Sequence, residues 1–499
     1  MNSSKQGGGR RRSGRARGVR ARQLGLPLWR EVAELFLSVV ASLTRFGRRF
    51  ARARLSRPHE RNRTILAGAG AAGLLALLVL VLPIGSCSTF ERLTGTEPLG
   101  PSPFTQEPTI RVRIAKALSK ATASSSSQVL VRGDGDQPRL VTGSFTIASE
   151  QGGIVIRTES KQSLAFPQGV DVELVPAPFP GTDAGGKTIT IDGTAYPGFA
   201  IVRPKSSESP DTFEIVLEIP MESYIPGVVA REMYSGWPRA AYEMQAVAAR
   251  TYALHERERA RRGNRGHDVE NTTLDQVFGG VTSSPAVHDA VRRTEGVTLY
   301  AGREILRAYF SSTCGGRPAS AGGVWPTTED LRFNAQAPLQ GKSRPFACTQ
   351  SNRFRWEVER TDQEVSARLR AWGERAGHPI RSLTLLRSVE PKTLNKAGRP
   401  DTYTIRSDRG REFVMRAEEF RVGCNVAAPG VPPLARGSQV WSNDVEVEVI
   451  GTRVTIRGRG FGHGVGMCQW CAKGFADEGM GWQEMAALFY PGSTTRKLY

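Results

Sequence analysis

The chain has 499 residues, of which 39% are hydrophobic, and a formal net charge of +20. That length is enough for two or three domains with real cores. The cationic excess resembles a nucleic-acid signature, but residues 1–63, with 16 Arg, Lys5 and three Glu, carry +14 of it and leave only +6 for the rest. An excess that mild is ordinary for a globular protein, so nucleic acid is excluded as the partner of the main part of the chain.

Residues 1–63 read as a basic cytoplasmic tail. The stretch GGGRRRSGRARGVRAR is low in complexity and has no interleaved aromatics. It suits a phospholipid surface and not nucleic acid. Within the tail, Leu28, Val32, Leu35, Phe36, Val39, Val40, Leu43 and Phe46 fall at helical spacing, with Arg45, Arg48 and Arg49 at the end. The spacing predicts an interfacial helix over 28–50. Residues 64–84 follow without a charge and are long enough to span a bilayer. Arg61 and Arg63 flank the front, so the positive-inside rule puts the N-terminus inside and the later residues outside the cytoplasmic membrane. The alternative is a lipoprotein signal, because Ile84-Gly85-Ser86-Cys87 resembles a lipobox, although the leader is long for one. Residues 85–108, rich in Gly, Pro, Ser and Thr, read as a linker.

From Thr109 the pattern has period two. Ile110, Val112 and Ile114 alternate with Arg111 and Arg113, and short apolar runs follow at Val129–Val131, Ile154–Ile156, Val170–Val175 and Ile189–Ile191. Gly133-Asp134-Gly135 and Gly152-Gly153 separate them, which predicts a mostly-β domain over 109–205. Residues 206–499 read as a mixed core, so the expected class is α+β, anchored to a membrane. Phe213, Ile215, Leu217 and Ile219 form a strand that ends at Pro220. A short helix then reaches Met233, weakened by Gly227. A long helix begins near Pro238 and stops at Gly263. Strands return at Val445–Ile450 and Arg453–Ile456. They are followed by the glycine-rich passage 458–470 and a short helix around Trp482–Leu488.

Four features could carry chemistry. Glu232 ends a helix beside Tyr234, Trp237 and Pro238. Aromatic neighbours can desolvate a carboxyl, raise its pKa and fit it for general-acid work; the plain alternative is a surface acid next to Arg231. His463 lies among dense glycines, which let backbone approach a ligand or another strand. The spacing does not open a βαβ unit, so it is no nucleotide fingerprint. Ser311-Ser312-Thr313-Cys314 suits a polar cleft wall but lacks the nucleophile elbow. Cys314, Cys348, Cys468, Cys471 and His463 could compose a Cys/His zinc site. Only Cys468 and Cys471 form a CxxC, however, and the expectation is no cofactor.

Three passages in this order resemble the SpoIID/LytB family: IPMESYIPGVVAREMYSGWPRAAYEMQAVAARTYAL (219–254), AYFSSTCGGRPASAGGVW (308–325) and GRGFGHGVGMCQWCAKGFADEGMGWQEMAALFYPG (458–492). The resemblance implies action on peptidoglycan. Sporulation-type members are lytic transglycosylases that cleave glycan strands lacking stem peptides, and their catalytic acid falls on Glu232. Other members enhance N-acetylmuramoyl-L-alanine amidases, which makes an amidase an implied partner. Family positions lining the cleft fall on Gln245, Arg250, Tyr252, Ser312, His463 and Gln469. A transglycosylase needs one carboxyl, because the sugar's own C6 hydroxyl attacks; Glu222 is then structural. The chain departs from the family at Tyr234, where proline is usual, and at Cys424 and Cys471. From the departures at Cys424 and Cys471 we expect a Cys424–Cys471 disulfide; Cys314 and Cys348 fall where some members place cysteines, so the resemblance implies a second bridge or a zinc site there, with Cys468 buried and free.

Overall fold

The first strand carries out what its alternation predicts: Ile110 and Val112 are fully buried, and Arg111 and Arg113 reach for acids on the other face, Asp268 and the pair Glu214 and Glu270. The computed structural model describes residues 106–177, 188–205 and 211–499. The tail, the interfacial helix, the span at 64–84 and nearly all of the linker lie outside the described residues. Among the described residues no helix is long and apolar enough to cross a membrane.

The chain is mixed α+β. Its first part contains β1 (Thr109–Leu118), β2 (Lys120–Ser124), β3 (Val129–Gly133), β4 (Arg139–Val141), β5 (Ser144–Glu150), β6 (Gly153–Thr158), β7 (Ser163–Phe166), β8 (Val172–Pro176), β9 (Thr188–Ile191), β10 (Thr194–Pro197), β11 (Phe199–Pro204) and β12 (Phe213–Pro220). Helix α1 (Met221–Glu232), helix α2 (Arg239–Arg262), β13 (Val269–Glu270), helix α3 (Pro285–Arg293), β14 (Val297–Ala301), β15 (Glu304–Ile305) and β16 (Phe310–Ser311) follow. One sheet has the order β13-β1-β12-β11-β8-β3-β4 and a second the order β10-β9-β2-β5-β6-β7. Strand β1 pairs antiparallel with β12, Ile110 opposite Ile219 and Val112 opposite Leu217, and parallel with β13. The β region and the helices share one hydrophobic core, in which Ile110, Val112, Ile215, Val228, Ala248 and Phe489 all take part. The strands of 109–205 share this core with the helices: α1 packs on β12 and β1, α2 packs on β1, and the two sheets meet through β11 and β8 on one side and β6 and β9 on the other.

Helix α2 runs through that core. Every residue from Ala241 to Glu256 is buried. Alanines 246, 248 and 249 let neighbours come close, Pro238 precedes the first turn, and the Gly263 N–H bonds the Arg259 carbonyl at the end. Arg259, Arg261 and Arg262 in the last turn suit the negative end of the helix dipole.

Between β16 and the glycine-rich passage the chain makes a second core. Strand β17 (Arg355–Thr361), helix α4 (Asp362–Ala376), β18 (Leu386–Leu394), β19 (Pro400–Ser407), β20 (Glu412–Arg416), helix α5 (Ala417–Asn425), β21 (Val445–Ile450) and β22 (Arg453–Arg459) enclose it. Leu369, Ile405, Phe420 and Ile456 form its centre. Residues 206–499 are thus two packed cores and not one, with the second interrupting the first. The chain returns to the first core through β23 (Met467–Cys468), helix α6 (Gln469–Asp477), helix α7 (Trp482–Phe489) and β24 (Thr494–Lys497). Strand β23 lies parallel to β16, Ser311 beside Cys468, and β24 pairs antiparallel with β14.

Glu222 in the first turn of α1 is structural. It takes Arg250 of α2 in a two-pronged pair, both bonds 2.7 Å, and also accepts from the Tyr499 hydroxyl. The Arg250 side chain has no exposed surface, so Glu222→Ala strands a buried guanidinium and should cost about 3–5 kcal/mol. Urea unfolding is expected to show a lower midpoint with an unchanged slope; an unaltered midpoint would mean that Arg250 finds other partners.

Candidate functional site

Glu232 is the last residue of α1 and is half-buried. Two donors hold its carboxyl: the Val277 N–H reaches Oε1 at 3.2 Å and the Gln469 side-chain amide reaches Oε2 at 3.3 Å. Burial raises its pKa above the ordinary glutamate value of 4.5, and these two hydrogen bonds offset part of the rise. The carboxyl is thus poised to hold a proton to higher pH than a solvated glutamate does.

The Val277 contact depends on Gly227, the residue that weakens the helix in sequence. A Cβ at Gly227 would lie 2.3 Å from the Gly280 carbonyl oxygen and 2.4 Å from the Phe278 ring. Its absence lets 277–280 press against α1, where the Gly279 N–H bonds the Gly227 carbonyl at 3.2 Å. The Gln469 contact depends on the turn from β23 into α6. Gln469 opens α6, is buried, and also donates to Gln245 Oε1 at 3.2 Å. Trp470 follows, its N–H on the Ser312 carbonyl at 3.1 Å.

Tyr234 and Trp237 follow the acid in the chain, and Trp470 follows Gln469, which binds that acid. Tyr234 is 64% exposed. Its ring lies 5.5 Å from Trp237 and 6.1 Å from Trp470, and Trp237 meets Trp470 edge-on at 5.1 Å. Trp470 belongs to the glycine-rich passage, and nothing in the sequence pairs it with Trp237. The Val277 donor carries no sequence signal at all, because a backbone N–H is common to almost every residue. Cavities of about 670 and 970 Å³ lie elsewhere, one beside Asp401 and Arg416, the other beside Glu258 and Arg262, and Glu232 lines neither.

Of the expected site residues, Gln245 and Gln469 join Glu232, and Ser312 abuts them through its carbonyl. The Gln245 Nε2 is buried and has no hydrogen-bond partner among the described residues. Arg250 and Tyr252 are not cleft residues. Arg250 is spent on Glu222. Tyr252 is buried, donates to Asp275 at 2.8 Å and accepts from Arg307 at 2.8 Å. Spacing along α2 puts them one turn or more beyond Gln245, where the helix passes into the core. His463 sits against Tyr309 and Trp325, with ring centroids 5.9 and 4.9 Å away. Its Nδ1 accepts from the Val465 N–H at 3.0 Å, and burial pushes the imidazole down to about 4. It is therefore neutral near pH 7, and its neighbours are those rings and the second core's Glu418, not Glu232.

The cysteines also differ from expectation. The five described ones are free thiols. Cys424 is buried in the second core and Cys471 in the first, so the two cannot bridge. Cys471, Cys314, Cys348 and Cys468 instead gather their sulfurs within 4.8 Å of one another.

Part of the chain that builds this site resembles known proteins. Residues 209–300, which contain α1, α2 and Glu232, match the SpoIID family, described as stage II sporulation protein. An uncharacterized protein of Brachyspira hyodysenteriae is 30% identical over 306 residues, 61% of this chain and 73% of that protein. The chain belongs to the SpoIID/LytB family. It is also 26% identical over 299 residues to the stage II sporulation protein D of Bacillus subtilis, covering 56% of this chain and 75% of that one. The amidase enhancer of the same organism is 26% identical over 293 residues, 54% of this chain; the chain spans 40% of that enhancer. Residues 327–466, which contain the second core, match a domain of unknown function.

Adding a methyl group at Gly227 tests the packing that holds the acid. Gly227→Ala should overpack the contact with Phe278 and Gly280 and cost about 1–3 kcal/mol. Because the Val277 hydrogen bond lowers the Glu232 pKa, its loss should move that pKa further up in a carboxyl-carbon NMR titration. A fully stable variant with an unshifted Glu232 would refute the dependence.

Proposed function

We propose that this protein is a peptidoglycan lytic transglycosylase that cuts glycan strands lacking stem peptides, with Glu232 as its only acid and base. The observation that carries the reading is the half-buried Glu232 carboxyl, raised in pKa by burial and held by Gln469, with the exposed Tyr234 ring two residues on and the half-buried Trp237 and Trp470 rings against it. Sugar rings stack on such surfaces through their C–H faces, and an extended polymer suits an open groove better than an enclosed cavity. Membership of a family that includes a stage II sporulation protein D and an amidase enhancer supports a cell-wall role.

The chemistry needs one carboxyl. Protonated Glu232 gives its proton to the oxygen leaving the muramyl C1. The C6 hydroxyl of the same sugar attacks C1, the C1–O6 bond forms as the glycosidic bond breaks, and the hydroxyl proton returns to Glu232. No second carboxylate is required, in contrast to most glycosidases. Glu222 is tied to Arg250, and Asp275 accepts from Tyr252 and from the Glu270 N–H. Gln245 is fully buried and supports Gln469, which in turn holds Glu232. Such a substrate lies outside the cytoplasmic membrane, so this reading also takes residues 64–84 as a single span with the N-terminus inside, or Cys87 as a lipid attachment point. A second reading, favoured by the likeness to the amidase enhancer, is a wall-binding protein that activates an amidase without cleaving glycan.

Purified protein should release 1,6-anhydro-muramyl ends from stem-peptide-free glycan, detected by mass spectrometry, and Glu232→Gln should lower the rate by about 100-fold or more. No product from the wild type, with faster digestion by an added amidase, would establish the enhancer instead. The active form is protonated, so activity should fall as pH rises through a Glu232 pKa that lies above 4.5. The same shift fixes a sign for stability. The folded state holds this proton more tightly than the unfolded one, so stability is lost as pH rises through the folded pKa. Glu232→Gln should therefore melt higher than wild type at neutral pH, with the gain vanishing in acid below the unfolded value; a gain that is independent of pH would sink the assignment of the shift.

A further inference from the structure

Three stretches of chain bring four cysteines together beneath α6. Cys314 follows β16, Cys348 precedes β17, Cys468 ends β23, and Cys471 lies in the first turn of α6. All four are buried in the first core, 1% exposed or less. Their sulfurs lie within 4.8 Å of one another. Cys314 Sγ is 3.7 Å from Cys348 Sγ and 3.7 Å from Cys471 Sγ. A disulfide needs about 2.05 Å. Four thiolates about 2.3 Å from one central ion form a tetrahedron with edges of about 3.8 Å. The observed separations are those of a tetrahedron edge and not of a bond.

The backbone is arranged for thiolates as well. Cys468 Sγ accepts from the Cys314 N–H at 3.2 Å and from the Cys471 N–H at 3.4 Å. Backbone N–H groups aimed at a sulfur serve as outer-shell partners that orient a metal-binding thiolate. Two guanidiniums are near enough for their charge to be felt, Arg344 at Cys314 and Arg355 at Cys348. Cys424, by contrast, is a single buried thiol in the other core.

We propose that Cys314, Cys348, Cys468 and Cys471 form a closed tetrathiolate site for zinc. As the ion enters, each thiol gives its proton to solvent and one Zn–S bond forms at each sulfur, with no change of oxidation state. The filled site carries a net charge of −2, which Arg344 and Arg355 offset in part. Four protein ligands leave no open position, so the ion is structural and not a Lewis acid. Its effect on the candidate site is indirect. Gln469 and Trp470 lie between the two ligands of the CxxC, so the ion would fix the turn that sends the Gln469 amide to Glu232 and the Trp470 ring toward Trp237. That consequence rests on the proposed glycan chemistry; the metal site does not.

The full chain, purified under reducing conditions without added metal, should contain about one zinc per chain by elemental analysis. X-ray absorption at the zinc edge should show a sulfur-only shell at about 2.3 Å. Cys348→Ser and Cys471→Ser should lose the zinc, and Cys424→Ser should keep it. Should the serine variants fail to fold, cobalt exchanged into the unaltered protein should show the visible bands of tetrahedral cobalt thiolate. Metal-free protein with four alkylatable thiols, a mapped disulfide among the four, stoichiometric iron, or a zinc shell containing oxygen would each overturn the proposal. None of these measurements reads glycan cleavage, so an inactive but zinc-loaded protein would discard the transglycosylase reading and leave the metal site standing.

Discussion

Helix α2 passes through the first core with sixteen consecutive buried residues, Ala241 to Glu256, and several of them are polar or charged. A buried polar group must find a partner, and a buried charge must find a good one. Much of the surrounding architecture answers that demand. Arg250 is closed by Glu222 from α1, with Tyr499 from the chain end on the same carboxylate. Glu256 is opposed by its own burial, but the hydrogen bond from His255 and the charges of Arg307 and Arg259 outweigh it and bring the carboxyl to about 2. Its stabilising pairs are complete above the ordinary carboxyl range and are lost only as pH falls toward that value. Gln245 is the exception. Its Oε1 is satisfied by Gln469 and its Nε2 has no protein partner. The one incomplete polar centre among these three lies on the same hydrogen-bond chain as Glu232.

Close backbone approach is the second condition for the site. In α1 it is met by Gly227, and in the glycine-rich passage by residues such as Gly466, at φ +69°, where a Cβ would lie 2.1 Å from the Tyr309 carbonyl oxygen. That approach sets β23 parallel to β16 and starts α6 with Gln469 facing the acid. The glycines cost helix or strand propensity locally and return it through contacts that any side chain would block.

Much of this is legible in the sequence. Alternation at Ile110 and Val112, the Pro238 and Gly263 ends of α2, and the placement of Glu232, Gln245 and Gln469 follow from local pattern and from motif. What is not legible is mostly the identity of partners. Arg250 and Tyr252 belong to the right helix, but helical phase alone does not say that Glu222 and Asp275 wait inside. The second core is only partly legible: β21 and β22 follow from their apolar runs, but β18 reads LRSVEPKTL, with Pro391 and few apolar residues, and only its pairing with β19 and packing against α4 make it a strand. The cysteines illustrate the same point. Their count and spacing permit many pairings, and only the return of the chain after the second core puts Cys468 and Cys471 beside Cys314.

The Glu232 carboxyl is held at a cost that bears on the choice between enzyme and enhancer. Burial disfavours its charged form, so near neutral pH the fold is less stable than it would be with a neutral amide there. An amide could still accept the Val277 N–H through one oxygen, and Gln469 could turn its own amide to meet the other end. Surface recognition of a partner needs neither a titratable group nor its desolvation; proton transfer to a leaving oxygen needs both. Tyr234 argues in the same direction. The Tyr234 ring is exposed to solvent next to Trp237 and Trp470, and a large exposed ring gains little from the fold. Its gain comes when something flat and partly apolar, such as a pyranose face, covers it. An uncomfortable acid and an uncovered ring two residues apart are together what the proposed glycan chemistry asks of this turn.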